Sequence, residues 1–304
     1  MKKTYILLLM VVTGCFVNAQ TTATEWFSSA FNKYKAADYT GAIKDYDKCI
    51  ALRPNDADAY FNRGLAKYGL KDDDGAIADY TKSIALNAGT YDVYYSRGLA
   101  RYFKKFYADA MIDFNIAISM KPDHAQSYIY RGATFYSQSK DEQALVELNK
   151  AIKLTDTIPA AYYYRALTRY QMKDDKSAIE DLNKAISLKG NYEYYYQRGL
   201  SKYALKDYNG SLADHSMSIG INPDYALSYS ERGLCYYALQ KDAPAILDFN
   251  MALKLKPDQP RIYYYRGLSK HYSGDKTGGC MDIKKASQLG YADAKGQLVK
   301  LGCN

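Results

Sequence analysis

Residues 94–98 read Tyr-Tyr-Ser-Arg-Gly, and variants of this Tyr-x-x-Arg-Gly motif recur along the 304-residue chain. The arginines of successive copies stand 33 or 34 residues apart, at Arg63, Arg97, Arg131, Arg165, Arg198, Arg232 and Arg266. A constant period of about 20 to 50 residues is the signature of a repeat architecture. Because each repeat in such an array contacts only its neighbours, chain length does not count domains here. The sequence predicts one elongated repeat domain.

The sequence predicts two helices in each repeat. Alignment of the copies places repeat starts near residues Ala23, Ala57, Tyr91, Ala125, Pro159, Tyr192, Ala226 and Pro260, so that the glycine of the motif is repeat position 8. Apolar or small residues recur in two sets spaced by three and four, which is typical of two amphipathic helices. Short elements such as Lys71-Asp72 and Gly274-Asp275 lie between the sets. These elements predict a turn followed by an N-terminal cap of the second helix.

The third copy shows the full pattern of recurring residues, with Tyr94, Gly98, Tyr102, Ala110, Phe114, Ala117 and Pro122. This pattern resembles the tetratricopeptide repeat, and the resemblance covers Ala23 to about Leu289. It implies an all-α fold, namely an α-solenoid in which about eight helix pairs form a right-handed superhelix. Residues 291–304 are expected to add a C-terminal capping helix.

The N-terminal residues 1–19 have the composition of a secretory signal peptide, with Lys2 and Lys3 followed by an apolar run and small residues up to Ala19. The apolar run is too short to span a membrane. Cleavage before Gln20 would leave a single mature domain over 20–304. Alternatively, residues 12–15 resemble a lipobox that would make Cys15 the lipidated first residue, and only then is a membrane expected as a partner. Either form predicts an exported, periplasmic or extracellular protein.

Export places the remaining cysteines in a compartment where disulfides persist. Cys280 and Cys303 fall near facing ends of two predicted antiparallel helices, so we expect a disulfide between them. Cys49 and Cys235 occupy slots for small buried residues and are expected to be inert core thiols. Neither pair has the spacing of a zinc site.

Every motif arginine is followed, at repeat position 23, by a carboxylate: Asp79, Asp113, Glu147, Asp181, Asp214, Asp248 and Asp282. We interpret this recurrence as a structural ion pair between facing helices, because a functional site need not be written identically in every repeat. The other interpretation is a charged ladder that grips a ligand. The sequence leaves the register open, since each carboxylate could also pair with the arginine of the next repeat.

Tyrosine is strongly over-represented, with 34 tyrosines beside 9 phenylalanines. The resemblance implies that repeat positions 2, 5, 9, 12 and 13 line a concave face, and positions 5 and 12 are mostly aromatic. We predict a ligand groove from the central rings of these two rows, formed by Tyr95, Tyr102, Tyr136, Tyr163, Tyr170, Tyr196 and Tyr203. The alternative interpretation is that many of these rings only pack between neighbouring repeats.

No sequence feature points to catalysis. The three histidines, His124, His215 and His271, are dispersed, and no nucleophile signature or glycine-rich phosphate loop is present, so no catalytic residue, cofactor or metal is expected. His215 occupies a core slot of the sixth repeat and is expected to be a hydrogen-bonded buried histidine in the least stable repeat. The formal charge of +8 is spread thinly, which argues against nucleic acid as a partner.

The sequence thus predicts a non-enzymatic scaffold that binds a protein or peptide segment of unknown identity in the concave groove. Two alternatives remain open at this stage. Hydroxylated aromatic rows also suit a glycan of the cell envelope, and a lipid-anchored form would fit an envelope-assembly accessory protein.

Overall fold

The computed structural model describes residues 22–86 and 89–303, and the described part of the chain is helical with no strand. The chain divides into two compact units, one ending at Leu154 and the other beginning at Thr155. The predicted signal peptide and the alternative lipidation site at Cys15 lie outside the described residues. The expected single domain over 20–304 stays a prediction.

Unit 1 contains four consecutive helix pairs, in which each helix packs against the helices next to it in the chain. The helices are α1 (22–35), α2 (Tyr39–Leu52), α3 (Ala57–Gly69), α4 (Asp73–Ala85), α5 (Tyr91–Phe103), α6 (Tyr107–Met120), α7 (Ala125–Ser137) and α8 (Asp141–Leu154).

Unit 2 contains a further four pairs and a short final helix. Its helices are α9 (Pro159–Gln171), α10 (Asp175–Leu188), α11 (Tyr192–Ala204), α12 (Tyr208–Ile221), α13 (Ala226–Ala238), α14 (Asp242–Leu255), α15 (Pro260–Tyr272), α16 (Lys276–Gln288) and α17 (Ala294–Lys300). The order and packing of these helices confirm the predicted all-α class, an α-solenoid built from helix pairs.

The turn inside each pair has the same backbone conformation. Its central residue adopts a positive φ in every pair, namely Ala37, Lys71, Lys105, Ser139, Lys173, Lys206, Gln240 and Gly274. The next residue is an aspartate in five pairs, and its carboxylate accepts a backbone N–H near the start of the second helix. Asp72, for example, accepts from the N–H of Gly75 at 3.0 Å. The predicted turn and cap are therefore confirmed.

The Lys71→Gly substitution should stabilise the protein by about 0.5–1 kcal/mol. Lys71 adopts a φ of 62°, a conformation that costs a residue with a Cβ roughly 1–2 kcal/mol, part of which glycine forfeits through the entropy of the unfolded chain. Denaturant unfolding measures the change. The control Lys82→Gly, at an exposed position inside α4, should shift the unfolding midpoint the other way, because glycine destabilises a helix interior by about 1 kcal/mol. A midpoint lowered by both substitutions would contradict this explanation of the turn.

The core of each pair is a large side chain at position 24 packed on a small residue at position 8. Phe114, which is fully buried, lies against Gly98 so closely that a Cβ on the glycine would be 2.8 Å from the ring. Phe249 and Gly233 repeat the arrangement, where the same distance would be 2.6 Å. Glycine therefore recurs at position 8 because it lets the two helices of a pair approach across an aromatic ring.

The motif arginines form the predicted structural ion pairs, and the register lies within each repeat. All seven guanidinium groups donate through Nε and Nη2 to the carboxylate sixteen residues later, at 2.5–3.0 Å. The six aspartates in these pairs are nearly inaccessible to solvent. The arginines also lie over the tyrosine three residues earlier, as Arg97 does over Tyr94. The arginine therefore joins both helices of its repeat.

In most of these arginines, Nη1 donates a hydrogen bond to a residue of the preceding repeat. Nη1 of Arg63 donates to Asp47 at 2.6 Å, and Nη1 of Arg266 donates to Asn250 at 2.7 Å. Equivalent bonds run from Arg97 to Thr81 and from Arg131 to Asn115. The sequence interpretation did not include this contact, which lets one side chain fix the spacing of two repeats.

The core of the sixth repeat is polar, as the sequence indicated. Oγ of Ser211 donates to the carbonyl of Gly199 at 2.8 Å, and Oγ of Ser228 bonds to Oγ of Ser218 at 2.7 Å. His215 is fully buried, but neither ring nitrogen has a hydrogen-bond partner among the described residues. The expectation of a hydrogen-bonded histidine is therefore wrong: the ring packs closely against Gly199, where a Cβ would be 2.7 Å from it.

The free energy of unfolding should decrease at acid pH because of His215. Burial lowers the pKa of this imidazole from 6.5 to about 4, while neighbouring Asp214 and Arg232 act in opposite directions. Since the folded-state pKa is depressed, the contribution is present above about pH 6.5 and is lost as the pH falls toward 4. The loss amounts to about 2 kcal/mol between pH 6.5 and roughly pH 5.

The His215→Leu variant tests this assignment. Two other repeats have leucine at the position equivalent to His215, namely Leu148 and Leu182, and both leucines are fully buried. The variant should lose most of this acid sensitivity and should be more stable at neutral pH, because two unpaired polar atoms leave the core. Urea unfolding at several pH values measures both effects. An unchanged pH dependence would show that other groups carry it.

The C-terminal region contains the expected disulfide. Cys280 in α16 and Cys303 after α17 form a disulfide with a Cα–Cα distance of 5.4 Å. Ala294 of α17 is fully buried and belongs to one apolar cluster with Ile283 of α16. Cys49 and Cys235 are buried free thiols, and burial raises the pKa of Cys235 to about 11, so this thiol is unreactive at neutral pH.

Candidate functional site

The first helices of successive pairs line the inner side of each unit. Helix α3 contacts α5 and α5 contacts α7 in unit 1, and in unit 2 the same holds for α9, α11, α13 and α15. These contacts skip the intervening second helix, so the first helices lie closer to one another than the second helices do. The side that they line is therefore concave within each unit, where the predicted tyrosine rows lie.

Unit 1 has a cavity of about 640 Å³ that is lined by residues of the first three helix pairs. Half of its lining residues are aromatic, and Lys71 and Asp73 add one charge of each sign. Phe103 is about half exposed, and burial raises the pKa of Tyr68. A Cβ on Gly69 would be 2.9 Å from the ring of Tyr39, so glycine is needed for this ring to lie across the cavity wall. The full lining is Tyr34, Tyr39, Leu65, Tyr68, Gly69, Lys71, Asp73 and Phe103.

Next to this cavity, Tyr130 is the centre of an aromatic cluster. Its ring centroid lies 5.8 Å from that of Tyr102, 6.1 Å from Tyr95 and 6.2 Å from Phe103. Tyr95 also makes an edge contact with His124 at 4.9 Å, and burial raises the pKa of the Tyr95 hydroxyl. The rings are tilted or perpendicular to one another, so they interdigitate and do not present parallel flat faces.

Unit 2 has a second cluster, in which charge accompanies the rings. Glu231 on α13 is about nine-tenths buried and accepts a bond from Nη1 of Arg261 on α15 at 3.0 Å. Desolvation raises the pKa of the Glu231 carboxyl, and the guanidinium of Arg261 opposes this effect. Burial raises the pKa of Tyr170 and of Tyr196, and the Glu231 carboxylate adds to both rises.

The structure brings together some of the predicted groove residues. Tyr95 and Tyr102 meet around Tyr130. The Tyr196 ring contacts those of His215 and Tyr225, and the Tyr170 ring lies 5.8 Å from Nζ of Lys173. Tyr163 packs on Tyr164 and Tyr194, Tyr203 makes an edge contact with Tyr208, and Tyr136 lies on α7. All seven predicted tyrosines are half-buried. Their role in ligand binding stays a prediction.

Sequence reasoning missed several residues of these clusters. Tyr130, Glu231 and Tyr265 occupy repeat position 6, which had not been counted as part of the groove. A signal was present for two of the missed residues. Glu231 is the one charged residue at position 6 of the eight repeats, and Arg261 is the one basic residue at position 2.

A metal site and a membrane-spanning helix are two other features that could carry a function. Among residues 22–86 and 89–303, no group of three or more His, Cys, Asp or Glu side chains is placed to hold a metal ion. No helix in the described part of the chain is long and apolar enough to cross a membrane.

Comparison with known families agrees with the geometry. A family model described as "TPR repeat" matches residues 32–71. A second, described as "Tetratricopeptide repeat", matches residues 57–90 and 159–192. A comparison with curated proteins found no match.

Several solved structures share the fold at low sequence identity. YrrB, described as "a TPR protein with an unusual peptide-binding site", is 20% identical over 62% of this chain and 97% of its own, with a TM-score of 0.55. A tetratricopeptide repeat protein from Parabacteroides merdae is 18% identical over 82% of this chain and 99% of its own, with a TM-score of 0.56. The APC/C hetero-tetramer Cut9-Hcn1 gives 13% identity over 90% of this chain and 54% of that one, with a TM-score of 0.67.

Proposed function

The chain is a tetratricopeptide repeat protein, and from this premise we propose that it is a non-enzymatic scaffold whose concave faces bind a protein or peptide segment. The observation that carries the proposal is the ring-lined cavity of unit 1, which opens between neighbouring helix pairs and is bordered by Lys71 and Asp73. Clefts of about 300–1,000 Å³ lined by apolar and aromatic groups with a few polar ones are typical binding sites.

The arrangement of the rings supports a peptide more than a glycan. A sugar ring stacks on an aromatic face that is presented flat, whereas the rings of Tyr95, Tyr102 and Phe103 are inclined to that of Tyr130 by 55–65°. Phe114 stacks on Tyr130, so this ring face is already covered. Pockets between inclined rings suit the side chains of an extended or helical segment. The unusual peptide-binding site named for YrrB is in keeping with this assignment.

We also propose that the protein is exported. The Cys280–Cys303 disulfide supports this, because such bonds persist in oxidising compartments. Mass spectrometry of the mature protein distinguishes the two forms: an unmodified chain that begins at Gln20 supports cleavage, and a lipidated Cys15 supports the anchored form. A chain that begins at Met1 would contradict export by either route.

A double variant in unit 1 tests the proposed function. Tyr68→Ala with Phe103→Ala removes two rings of the cavity wall and should weaken capture of protein partners from an envelope extract by about tenfold or more, as expected for the loss of aromatic anchors. The matched control is Ile112→Ala with Val146→Ala, which removes two side chains that are 56% and 66% exposed on second helices. Equal capture by both variants and the wild type would contradict the proposal.

A further inference from the structure

The pair of Glu231 and Arg261 differs from every ladder pair described above. Each motif arginine donates two bonds to its carboxylate, and its side chain is mostly buried, as for Arg97 with Asp113. Within the described part of the chain, Arg261 donates one bond to Glu231, and its side chain is 48% exposed. A nearly buried carboxylate is therefore held by a cation that is almost half exposed, which is a poor arrangement for stability.

A second buried carboxylate lies in the same region. Asp175, at the start of α10, is about nine-tenths buried, and its Oδ1 has no hydrogen-bond partner within the described part of the chain. Burial raises the pKa of Tyr170, and the carboxylates of Asp175 and Glu231 add to that rise. An unpaired buried carboxylate oxygen costs folding free energy unless a ligand satisfies it.

The charge of this region opposes that of the whole protein. We name the residues Tyr170, Asp175, Tyr196, Glu231 and Arg261 the acidic tyrosine cluster. It carries two carboxylates against the guanidinium of Arg261, and Lys173 adds a second cation, because its Nζ lies 5.8 Å from the centre of the Tyr170 ring. The chain as a whole has a formal net charge of +8. Asp242 adds a further carboxylate beside Tyr237, whose ring meets that of Tyr265 at 5.1 Å. The local potential therefore favours a cation.

We propose that the acidic tyrosine cluster binds a lysine or arginine side chain of a partner peptide. This inference rests on the proposed peptide-binding function and names the chemistry of the peptide. Carboxylates supply charge-assisted acceptors for a cationic group, and tyrosine rings beside them attract the same cation through their faces.

Arg261 shows how such a side chain is held. Its guanidinium donates to Glu231 and lies 5.9 Å from the centre of the Tyr265 ring, so it occupies the site as an internal substitute for the ligand. An incoming basic side chain displaces it toward solvent, where almost half of its surface already lies. Removal of Arg261 should therefore favour the ligand, whereas removal of the Glu231 charge should disfavour it.

Two variants with opposite expected effects follow. Glu231→Gln keeps the shape of the side chain and should weaken binding of a basic peptide about tenfold or more, as for a truncated buried charge pair. Arg261→Met should strengthen the same binding by about threefold, because the competing cation is gone. A site for acidic peptides would respond with the opposite signs. Glu180→Gln and Lys254→Met, at exposed positions on second helices, are the matched controls.

The probe is a random dodecapeptide display library selected on the immobilised protein. We expect selected sequences to be enriched in lysine or arginine, and fluorescence anisotropy of the best peptide to give the two opposite changes in Kd. Asp175→Asn is a second carboxylate variant, used if Glu231→Gln lowers the unfolding temperature, and it should also weaken binding.

The outcomes separate this inference from the proposed function. Selected peptides that require Tyr170 but lack basic residues would overturn the inference and leave groove binding intact. Enrichment of acidic residues, or weaker binding by Arg261→Met, would overturn it as well. A selection that yields no peptide dependent on either concave face would overturn the inference together with the proposed function.

Discussion

The Asp113→Ala variant should lose about 3–5 kcal/mol of its free energy of unfolding, the usual consequence of removing one partner of a buried ion pair. Asp113 is fully buried and accepts bonds from Nε and Nη2 of Arg97, at 3.0 and 2.8 Å, and from Nη1 of Arg101 at 2.6 Å. Without the carboxylate, two guanidinium groups that are mostly buried face each other with no anion between them. Their mutual repulsion adds to the cost of desolvating them.

Asp47→Ala is the matched control for this prediction. Asp47 also bonds to a motif arginine, Arg63, at 2.6 Å, but its side chain is 53% exposed. An exposed pair contributes about 0–1 kcal/mol, so this variant should unfold almost as the wild type does. Denaturant unfolding, fitted to a nearest-neighbour repeat scheme, measures both values. Equal small losses would show that the ladder contributes little to stability and that its regularity has another origin.

The Phe114→Ala variant should be destabilised by about 3–5 kcal/mol, because a fully buried ring is removed from a rigid site. Phe114 packs on Gly98, which has no side chain to fill the space. Its ring also contacts Tyr95 at 6.3 Å and stacks on Tyr130 at 6.4 Å between centroids. The cavity would therefore lie beneath the aromatic cluster of unit 1 and should loosen it as well.

Phe114→Leu controls for the volume lost. Leucine fills the equivalent slot of two other repeats as Leu148 and Leu182, both fully buried, so this variant should lose only about 1–1.5 kcal/mol. Unfolding by denaturant and the near-ultraviolet circular dichroism of the tyrosines report on stability and on the cluster, respectively. A loss below 1.5 kcal/mol in the alanine variant would mean that the repeat collapses around the space or that neighbouring repeats hold it folded.

Most of the fold could be predicted from sequence because repetition multiplies each weak local signal. One Tyr-x-x-Arg-Gly motif predicts little, whereas seven copies predict the repeat starts, the caps at Asp72 and Asp275, and the small residue at position 8 of each repeat. The ladder register could not be predicted. Both candidate partners of each arginine lie on second helices, and only the three-dimensional packing shows that Nε and Nη2 bond within the repeat while Nη1 reaches the repeat before.

The candidate site was less predictable, because several of its residues are exceptions to the repeat pattern, and a residue that occurs once at its position gives no periodic signal. The tyrosine rows were found from their regular spacing. Glu231 and Arg261 break the regularity of their positions, but their contact joins residues 30 apart in sequence and required coordinates. Asp175 was missed for a different reason: an aspartate at the start of a helix is ordinary, and only its burial and unpartnered oxygen distinguish it.

The most direct test of the central claim, that the concave faces bind a protein or peptide, is site-specific photo-crosslinking. A photo-reactive benzoylphenylalanine is placed at Tyr68 of unit 1 or at Tyr203 of unit 2, and at the control position Leu247, which is 69% exposed on α14. After irradiation in an envelope extract, the two concave positions should give discrete adducts with protein partners, and Leu247 should give none above background. Adducts of equal yield at all three positions, or at Leu247 alone, would contradict the claim.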